Sequence, residues 1–408
     1  MKKGWEMKKL GDVCEFGNGL WTGKKPPFQK VGVIRNTNFT KEGKLDDSDI
    51  VYLDVEQSQF SKRKLKYGDI ILEKSGGGPK QPVGRVIIFD IEEGDFSFSN
   101  FTSVIRVINS KDVDFIYLHR FLFFSYVSGA TETMQSHSTG IRNLKFDDYK
   151  AISIPLPSLV EQQRIVATLD EAFAAINKAK ANAEQNLKNA KELFESYLQE
   201  VFENKGEGWE EKTLGDVCSL ITDGKHGDCD NETDSDYYFL SAKDVRNGTL
   251  LFDNARQITK SGFEETHRRT NLKPGDICMV NTGATIGRIS FAPDDPRTYK
   301  STFQKSVAVI KTIPNLIDNN FCCYILKSDL KKLFKVASGA AVPNLLLGDL
   351  KRHKINLPKS LKLQQSIVQK LDALSIETIQ LETIYKQKIN DLEELKKSVL
   401  QKAFSGEL

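Results

Sequence analysis

The sequence repeats itself once, at an interval of roughly two hundred residues, which is far longer than the unit of a solenoid protein. The openings Gly-Trp-Glu and Leu-Gly-Asp-Val-Cys recur, and so do later motifs. The matching segments are residues 4–6 with 208–210, 10–14 with 214–218, 65–70 with 272–277, 84–86 with 287–289, 154–157 with 355–358, and 162–166 with 364–368. Two similar folded units on one chain predict pseudo-two-fold symmetry.

Composition sets loose bounds on the class of protein. A chain of 408 residues suits two to four domains, and 39% hydrophobic with 28% charged residues is ordinary for a soluble globular protein. The net charge of +3 permits nucleic-acid binding but is too small to argue for it. No signal peptide precedes the first motif, and the best apolar run, residues 115–124, is short and interrupted by His119 and Arg120. We therefore expect a cytoplasmic protein with no membrane span.

Metal and disulfide sites are not expected. The six cysteines form no C-x-x-C pair, and only five histidines are available to complete a zinc site. The adjacent Cys322 and Cys323 are typical of a buried apolar segment instead. A reduced protein without a metal is the simplest interpretation.

Each copy begins with a strand-rich part. Short apolar stretches are broken by Gly, Pro, Asn and Asp, which is typical of strands and turns. Strands are predicted at residues 31–34, 69–72, 85–89 and 103–107 in the first copy and at 237–240, 276–280, 288–291 and 306–310 in the second. A helix is predicted to follow in each copy, at residues 114–127 and at 319–336. The pattern predicts α+β modules with long loops.

Each copy ends with a long helix. Between residues 158 and 204 no Pro or Gly occurs, and apolar residues recur at alternating steps of three and four, as in a coiled coil. The predicted inner residues are Val166, Leu169, Phe173, Ile176, Lys180, Ala183, Leu187, Ala190, Phe194, Tyr197 and Val201, then Leu371, Leu374, Leu381, Tyr385, Ile389, Leu392, Leu395 and Val399. Each helix is on the order of 65 Å long at 1.5 Å per residue. We expect the two to pair antiparallel, although packing on the modules or on a partner's helix is the alternative.

Enzyme motifs are incomplete. Residues 17–24 are similar to a phosphate loop but carry one residue too many, and Lys25 stands where Ser or Thr is required. Residues 25–28 are similar to the Pro-Pro-aromatic loop of adenine methyltransferases but lack the preceding Asn or Asp. No glycine-rich turn for a methyl donor or nucleotide is present. We therefore predict no catalytic residue and no cofactor.

Polar and basic loops are the remaining candidates for a binding site. Lys, Arg, Gln and Asn side chains reach phosphates and base edges, and glycines allow the backbone to approach closely. Residues 73–81 correspond to 281–288, residues 136–143 to 340–344, and residues 22–25 are compared with 222–226. The candidate DNA-binding residues are Lys24, Lys25, Lys74, Ser75, Lys80, Gln81, His137, Arg142, Asn143, Lys225, His226, Asn281, Thr282, Thr285, Arg288 and Asn344. Each loop taken alone is more typical of a solvated surface turn than of a binding site.

The two copies differ most in these loops. Their framework motifs agree, whereas the loop side chains do not. Two similar scaffolds that carry different loop chemistry predict that two different half-sites are read.

With these motifs, the chain resembles the specificity subunit of a type I restriction–modification system. The resemblance covers almost the whole chain and rests on the duplicated Leu-Gly-Asp-Val-Cys openings, the Gly-Asp-Ile strands, residues 283–288 (Gly-Ala-Thr-Ile-Gly-Arg) and the Ile-x-Leu-Pro segments that lead into Gln-Gln helices. It implies two homologous strand-rich target-recognition domains, residues 1–157 and 205–358, separated by two antiparallel coiled-coil helices, residues 158–204 and 359–408.

The resemblance also implies function and partners. Each domain reads one half of a split double-stranded DNA target, and the helices fix the gap between the halves. The subunit has no catalytic centre; it recruits two methyltransferase subunits, and motor–nuclease subunits join for cleavage. A stand-alone adenine methyltransferase and a coiled-coil scaffold that binds no nucleic acid are the alternatives.

Overall fold

The computed structural model describes residues 4–21, 25–78, 81–138, 141–337 and 343–408. The chain forms two compact units. Unit 1 comprises Met1–Glu184 and Lys386–Leu408, and unit 2 comprises Gln185–Tyr385. Each unit therefore contains a strand-rich part and one portion of each long helix. The expected four-part division at residues 157, 204 and 358 stays a prediction.

Unit 1 is built around a four-stranded sheet. Its strands are β1 Glu6–Lys9, β2 Cys14–Asn18, β3 Phe28–Ile34, β4 Val51–Glu56, β5 Ile70–Glu73, β6 Ser75–Gly77, β7 Val86–Ile88, β8 Phe96–Phe98, β9 Thr102–Val107, β10 Gln135–Ser138, β11 Ile141–Leu144 and β12 Ser153–Leu156. Its helices are α1 Leu10–Val13, α2 Gln57–Arg63, α3 Phe115–Val127, α4 Phe146–Lys150 and the first part of α5 Leu159–Glu203. The sheet orders are β2-β9-β5-β7, β4-β3-β8, β10-β11-β6 and β1-β12.

The central sheet of unit 1 is buried on both faces. Ile70 and Leu72 of β5 pack in one cluster with α3 and the long helices, whereas Ile71 packs in another with Phe98 of β8. Because successive side chains of a strand point to opposite faces, a strand buried on both sides needs a continuous apolar run. This explains why β5 was recognisable from the sequence.

Unit 2 repeats this plan. Its strands are β13 Trp209–Thr213, β14 Cys218–Asp223, β15 Tyr237–Leu240, β16 Val245–Arg246, β17 Thr249–Leu250, β18 Arg256–Ile258, β19 Ile277–Val280, β20 Ile289–Phe291, β21 Ser301–Phe303, β22 Val307–Thr312 and β23 Lys354–Pro358. Its helices are α6 Lys260–Thr270, α7 Pro296–Tyr299, α8 Asn319–Ser328, α9 Leu330–Val336 and α10 Leu347–Arg352, with α11 Leu361–Ser405 following. The orders β14-β22-β19-β20, β18-β15-β21 and β13-β23 reproduce three of the sheets of unit 1.

One predicted helix is divided in two. Residues 319–336 were expected to form a single helix, but α8 ends at Ser328 and α9 begins at Leu330. Between them lies Asp329, whose buried carboxylate accepts from His353 at 2.9 Å and from Lys332 at 2.6 Å. These partners hold the residue at a bend that apolar periodicity alone does not reveal.

The long helices pack antiparallel. Within unit 1, Arg164 of α5 donates to the backbone oxygen of Leu408 at 2.9 Å, and Lys180 forms an ion pair with Glu393 of α11. From Arg164 to Lys180 the residue number increases along α5, while that of the contacting residue decreases from Leu408 to Glu393. The two helices therefore run in opposite directions. The inner residues predicted for α5 are buried or half-buried. In α11 the prediction was wrong for Leu381 and Leu395, which are 36% and 47% exposed, because Thr378 and Lys396 take the inner positions.

A buried glutamine fastens each long helix to its strand-rich part. Gln162 in α5 accepts from the backbone N–H of Asp114 and donates to the carbonyls of Asp112 and Pro157, each at 2.9 Å. Gln364 in α11 makes the equivalent three bonds to residues 318, 316 and 358 at 2.8 to 3.1 Å. Both side chains are fully buried and satisfied. The first glutamine of each Gln-Gln motif is thus a structural residue.

Within the described ranges, no helix is both long enough and apolar enough to cross a membrane.

Candidate nucleic-acid interface

The two polar loops of unit 1 meet in one small sheet. Strand β6, just after β5, pairs with β11, which lies in the cluster that follows α3. The Ser75 hydroxyl donates to Asn143 Oδ1 at 2.5 Å, and the backbone N–H of Leu144 donates to the Lys74 carbonyl at 2.8 Å. The structure therefore brings Lys74 and Ser75 together with Arg142 and Asn143, although Ser75 and Asn143 are 68 residues apart in the chain.

Unit 2 contains the same junction. Thr282 forms a β-bridge with Asn344, and its hydroxyl donates to Asn344 Oδ1 at 2.7 Å. The backbone N–H of Leu345 donates to the Asn281 carbonyl at 2.8 Å. Ser75 thus corresponds to Thr282, and Asn143 to Asn344. A hydroxyl–amide contact joins the two loops in both units.

Three further residues of unit 1 adjoin this junction. Lys74 Nζ donates to Asn18 Oδ1 at 2.7 Å, and Asn36 Nδ2 donates to the Ser75 carbonyl at 2.8 Å. The carbonyl of Phe101 accepts from the N–H groups of Lys74 and Ser75, and its side chain is 47% exposed. Partial burial lowers the pKa of Lys74. Asn18, Asn36 and Phe101 were not among the predicted contacts, because only strand pairing brings them beside Lys74 and Ser75.

The equivalent positions of unit 2 carry different chemistry. Asn281 replaces Lys74, and its side chain is buried and donates to the Leu345 carbonyl at 3.5 Å, so it faces the loop interior. Asp223 occupies the position of Asn18, because both end the strand that pairs beside β9 or β22. Asp223 binds Arg269 at 2.5 Å. The two junctions therefore share a backbone arrangement and differ in charge.

The comparison of residues 22–25 with 222–226 was wrong. The backbone N–H of Lys225 donates to the carbonyl of Phe303, and Lys225 forms a β-bridge with Gln304. In unit 1 the backbone N–H of Leu20 donates to the carbonyl of Phe98, and Leu20 forms a β-bridge with Ser99. Lys225 therefore corresponds to Leu20. The preceding glycines fix this register, because a Cβ at Gly19 or Gly224 would lie 1.8 or 1.9 Å from a backbone oxygen.

This register pairs His226 with Trp21. Trp21 is 66% exposed and was not among the predicted contacts. His226 is exposed beside Asp223, at 3.3 Å, while Lys225 binds Glu265 at 2.9 Å. The ion pair raises the pKa of Lys225. Lys25 is exposed. An exposed aromatic side chain beside polar loops is a candidate for contact with nucleic acid.

The remaining candidates are placed as follows. Lys24, Lys80 and the side chain of His137 lie outside the described part of the chain; the backbone of His137 pairs with Arg142. Gln81 is exposed, and its amide oxygen, oriented toward Arg85, accepts from Nη2 at 2.7 Å. Thr285 is half-buried in a turn in which its carbonyl accepts from the N–H of Arg288 at 3.2 Å.

Equivalent arginines have different surroundings in the two units. The N–H of Glu73 donates to the Arg85 carbonyl, and the N–H of Val280 donates to the Arg288 carbonyl, both at 2.8 Å. Arg85 and Arg288 therefore occupy the same place. Arg85 is bound by the Glu73 carboxylate at 2.6 and 2.9 Å, whereas Arg288 is exposed. Val280 occupies in unit 2 the position that Glu73 has in unit 1, so the carboxylate that binds Arg85 has no counterpart there.

The chain matches a known family twice. The model of the type I restriction modification DNA specificity domain matches residues 2–186 and 206–394. Relatives include a putative type I restriction enzyme specificity subunit, MjaX, of Methanocaldococcus jannaschii, which is 23% identical over 99% of this chain and 93% of the relative. The StySPI specificity subunit of Salmonella potsdam is 25% identical, and the EcoKI specificity subunit of Escherichia coli is 24% identical, each over 100% of this chain and 90% of the relative.

Solved structures share the fold. A chain from a study of complex assembly and conformational transition of a type I restriction–modification system matches with a TM-score of 0.79 at 20% identity, over 100% of this chain and 99% of that chain. The HsdS subunit of Thermoanaerobacter tengcongensis matches with a TM-score of 0.63 at 18% identity, over 100% and 98%. The expected α+β fold class with two strand-rich domains and two long antiparallel helices is confirmed. Because the family model covers most of the chain in two consecutive copies, the chain belongs to the type I restriction–modification family as a specificity subunit with two DNA specificity domains.

Proposed function

We propose that each strand-rich domain binds one half of a split duplex target through its loop junction, and that the two long helices set the gap between the halves. The domains are residues 1–157 and 205–358, and the helices are residues 158–204 and 359–408. The observation that carries this proposal is the duplicated hydroxyl–amide contact, Ser75 with Asn143 and Thr282 with Asn344. An equivalent frame with different surrounding side chains is what two different half-sites require.

The chemistry of the junction fits double-stranded DNA. Lysine and arginine side chains supply salt-dependent attraction to phosphates, and Asn, Gln and Arg side chains reach base edges in the major groove. The proposed contacts are the candidates given above, from Lys24 to Asn344, except Asn281, whose side chain is buried. Trp21, Asn18 and Phe101 are added to them. A good bidentate contact discriminates between bases by about 1–3 kcal/mol.

Methyl transfer and cleavage belong to partner subunits in this proposal. The relatives are named specificity subunits of restriction enzymes, and one structural neighbour comes from a study of complex assembly. The chain therefore recruits two methyltransferase subunits, and motor–nuclease subunits join the complete complex, in the cytoplasm.

An apolar surface on α11 supports protein partners. Ile376, Ile379 and Ile384 are 58%, 59% and 58% exposed within nine consecutive residues. Contiguous exposed apolar patches mark sites of protein–protein interaction.

The test is to express the chain with its partner methyltransferase subunits and to map modified adenines genome-wide. A single split motif with a constant gap is expected. Replacing residues 1–157 by the corresponding domain of a relative should alter one half of the motif and leave the other unchanged. Modification that lacks a split motif, or a replacement that alters both halves, would contradict the proposal.

A further inference from the structure

A basic concavity lies in unit 2 beside the loop junction. It has a volume of about 410 Å³ and is lined by Val245, Arg246, Asn247, Arg288 and Ile289. The turn between β16 and β17 forms one wall and β20 the other, and the N–H of Phe291 donates to the Gly248 carbonyl at 3.0 Å. Arg246, Asn247 and Arg288 are exposed. Two guanidinium groups therefore border one open depression.

Among the ion pairs of the described residues, no carboxylate pairs with Arg246 or Arg288. The nearby Asp244 accepts from the N–H and hydroxyl of Ser241 at 2.8 and 3.0 Å. Asp253, on the other side of Arg246, pairs with Arg297 at 3.4 Å. Both guanidinium groups remain available to an external anion.

In unit 1 the arginine at the equivalent position is bound within the protein. Its Arg85, which corresponds to Arg288, binds the Glu73 carboxylate and the carbonyls of Asn36 and Phe39 at 3.1 and 3.2 Å. Only 15% of the Arg85 side chain is exposed. The charge of Arg85 is therefore balanced by Glu73, and its N–H groups are bound by residues of unit 1.

The second arginine also has no counterpart in unit 1. Val245 pairs with Leu250 in unit 2, as Phe39 bridges Leu45 in unit 1. The residue that follows is Arg246 in unit 2 and Thr40 in unit 1. Among the described residues, unit 2 therefore has two guanidinium groups without a carboxylate partner at this place, where unit 1 has Thr40 and the paired Arg85.

We propose that Arg246 and Arg288 form a binding site for backbone phosphate of duplex DNA, which unit 2 has and unit 1 lacks. The proposal rests on the proposed function and extends it. A guanidinium is permanently charged and matches phosphate oxygens through paired N–H donors. Phosphate contacts fix register and add affinity without reading bases. The half-site bound by unit 2 is therefore held by a stronger salt-dependent component at this position.

Salt-dependent binding tests the site. The chain, assembled with its methyltransferase subunits, is titrated with a duplex that carries the mapped target at several salt concentrations. Arg246→Ala and Arg288→Ala should each reduce the slope of log K against log salt by about 1, with equal weakening for matched and mismatched targets. Arg288→Lys retains the charge and should retain the slope. Arg268→Ala, which removes an exposed arginine from α6, is the control and should leave the slope unchanged.

A second measurement locates the phosphate. Neutral methylphosphonate linkages are introduced one at a time along the half-site read by unit 2. One or two positions should weaken binding by the wild type and have no further effect on the Arg246→Ala, Arg288→Ala double variant. An unchanged slope in the double variant, or a loss that depends on base identity, would overturn the phosphate site. Failure of the wild type to bind any split target would instead overturn the proposed function.

Discussion

At the scale of single residues, the Glu73 carboxylate holds Arg85 in a buried ion pair. Glu73 and Arg85 form a bidentate pair at 2.6 and 2.9 Å, and their side chains are 2% and 15% exposed. Removing one member of a buried ion pair leaves the other charge uncompensated, which costs about 3–5 kcal/mol. Glu73→Gln should therefore lower the free energy of unfolding by an amount in this range, measured by chemical denaturation.

The control for this variant lies in the same unit. Lys64 and Asp95 form an ion pair at 2.7 Å with side chains that are 50% and 39% exposed. Because water and salt screen exposed pairs, Lys64→Gln should change unfolding very little. Equal losses in the two variants would show that burial of the Glu73–Arg85 pair is not what matters.

The residues of the candidate interface were only partly predictable. Lys74, Ser75 and Asn143 were selected from polar, glycine-rich segments, and the structure brings them together. The role of Arg85 could not be seen, because it depends on a carboxylate twelve residues earlier across a strand pair. Trp21 was missed because local similarity of Thr-Gly-Lys to Thr-Asp-Gly-Lys suggested a different register. Only strand pairing distinguishes the two registers.

At the scale of elements, the buried glutamines couple the long helices to the domains. In Gln162→Met the side chain keeps its length, but the N–H of Asp114 and the carbonyls of Asp112 and Pro157 lose their partner. An unsatisfied buried polar group costs about 1–3 kcal/mol. We expect the free energy of unfolding to fall by about 2–4 kcal/mol, measured by chemical denaturation.

Gln163 is the matched control, because it is adjacent on α5 and exposed. Gln163→Met should leave stability within about 0.5 kcal/mol of the wild type. If both substitutions have the same effect, the hydrogen bonds of Gln162 do not fasten the helix.

The elements that were predicted well are those with a strong period or full burial. Both long helices were recognised within a few residues, since uninterrupted three- and four-residue spacing admits no other structure. Strand β5 was recognised because it is buried on both faces. The short strands β6, β10 and β11 were not predicted, because their polar residues carry no alternating pattern and their pairing joins distant segments. These are the strands that form the candidate interface of unit 1.

At the scale of the whole molecule, the two copies share their framework and differ in the side chains around the loop junction. The satisfied glutamines, the sheet orders and the hydroxyl–amide junction are retained in both copies. The side chains around the junction, such as Lys74 and Asn281 or Glu73 and Val280, differ. The two copies thus keep a common framework, while several side chains of the candidate interface differ between them.

The proposal that the long helices set the gap between the half-sites can be tested by shortening both helices. Seven residues are removed from α5 between Lys180 and Phe194, and seven from α11 between Thr378 and Glu393, so that the residues that contact the domain cores remain. At 1.5 Å per residue each helix shortens by about 10 Å, or roughly three base pairs at 3.4 Å each. Methylation mapping should recover both half-sites unchanged with a gap shorter by about this amount, because each domain keeps its own loops. Deletion from one helix alone mismatches the coiled-coil partners and should lower stability instead. A paired deletion that remains folded and modifies the original spacing would contradict the proposal that the helices set the gap.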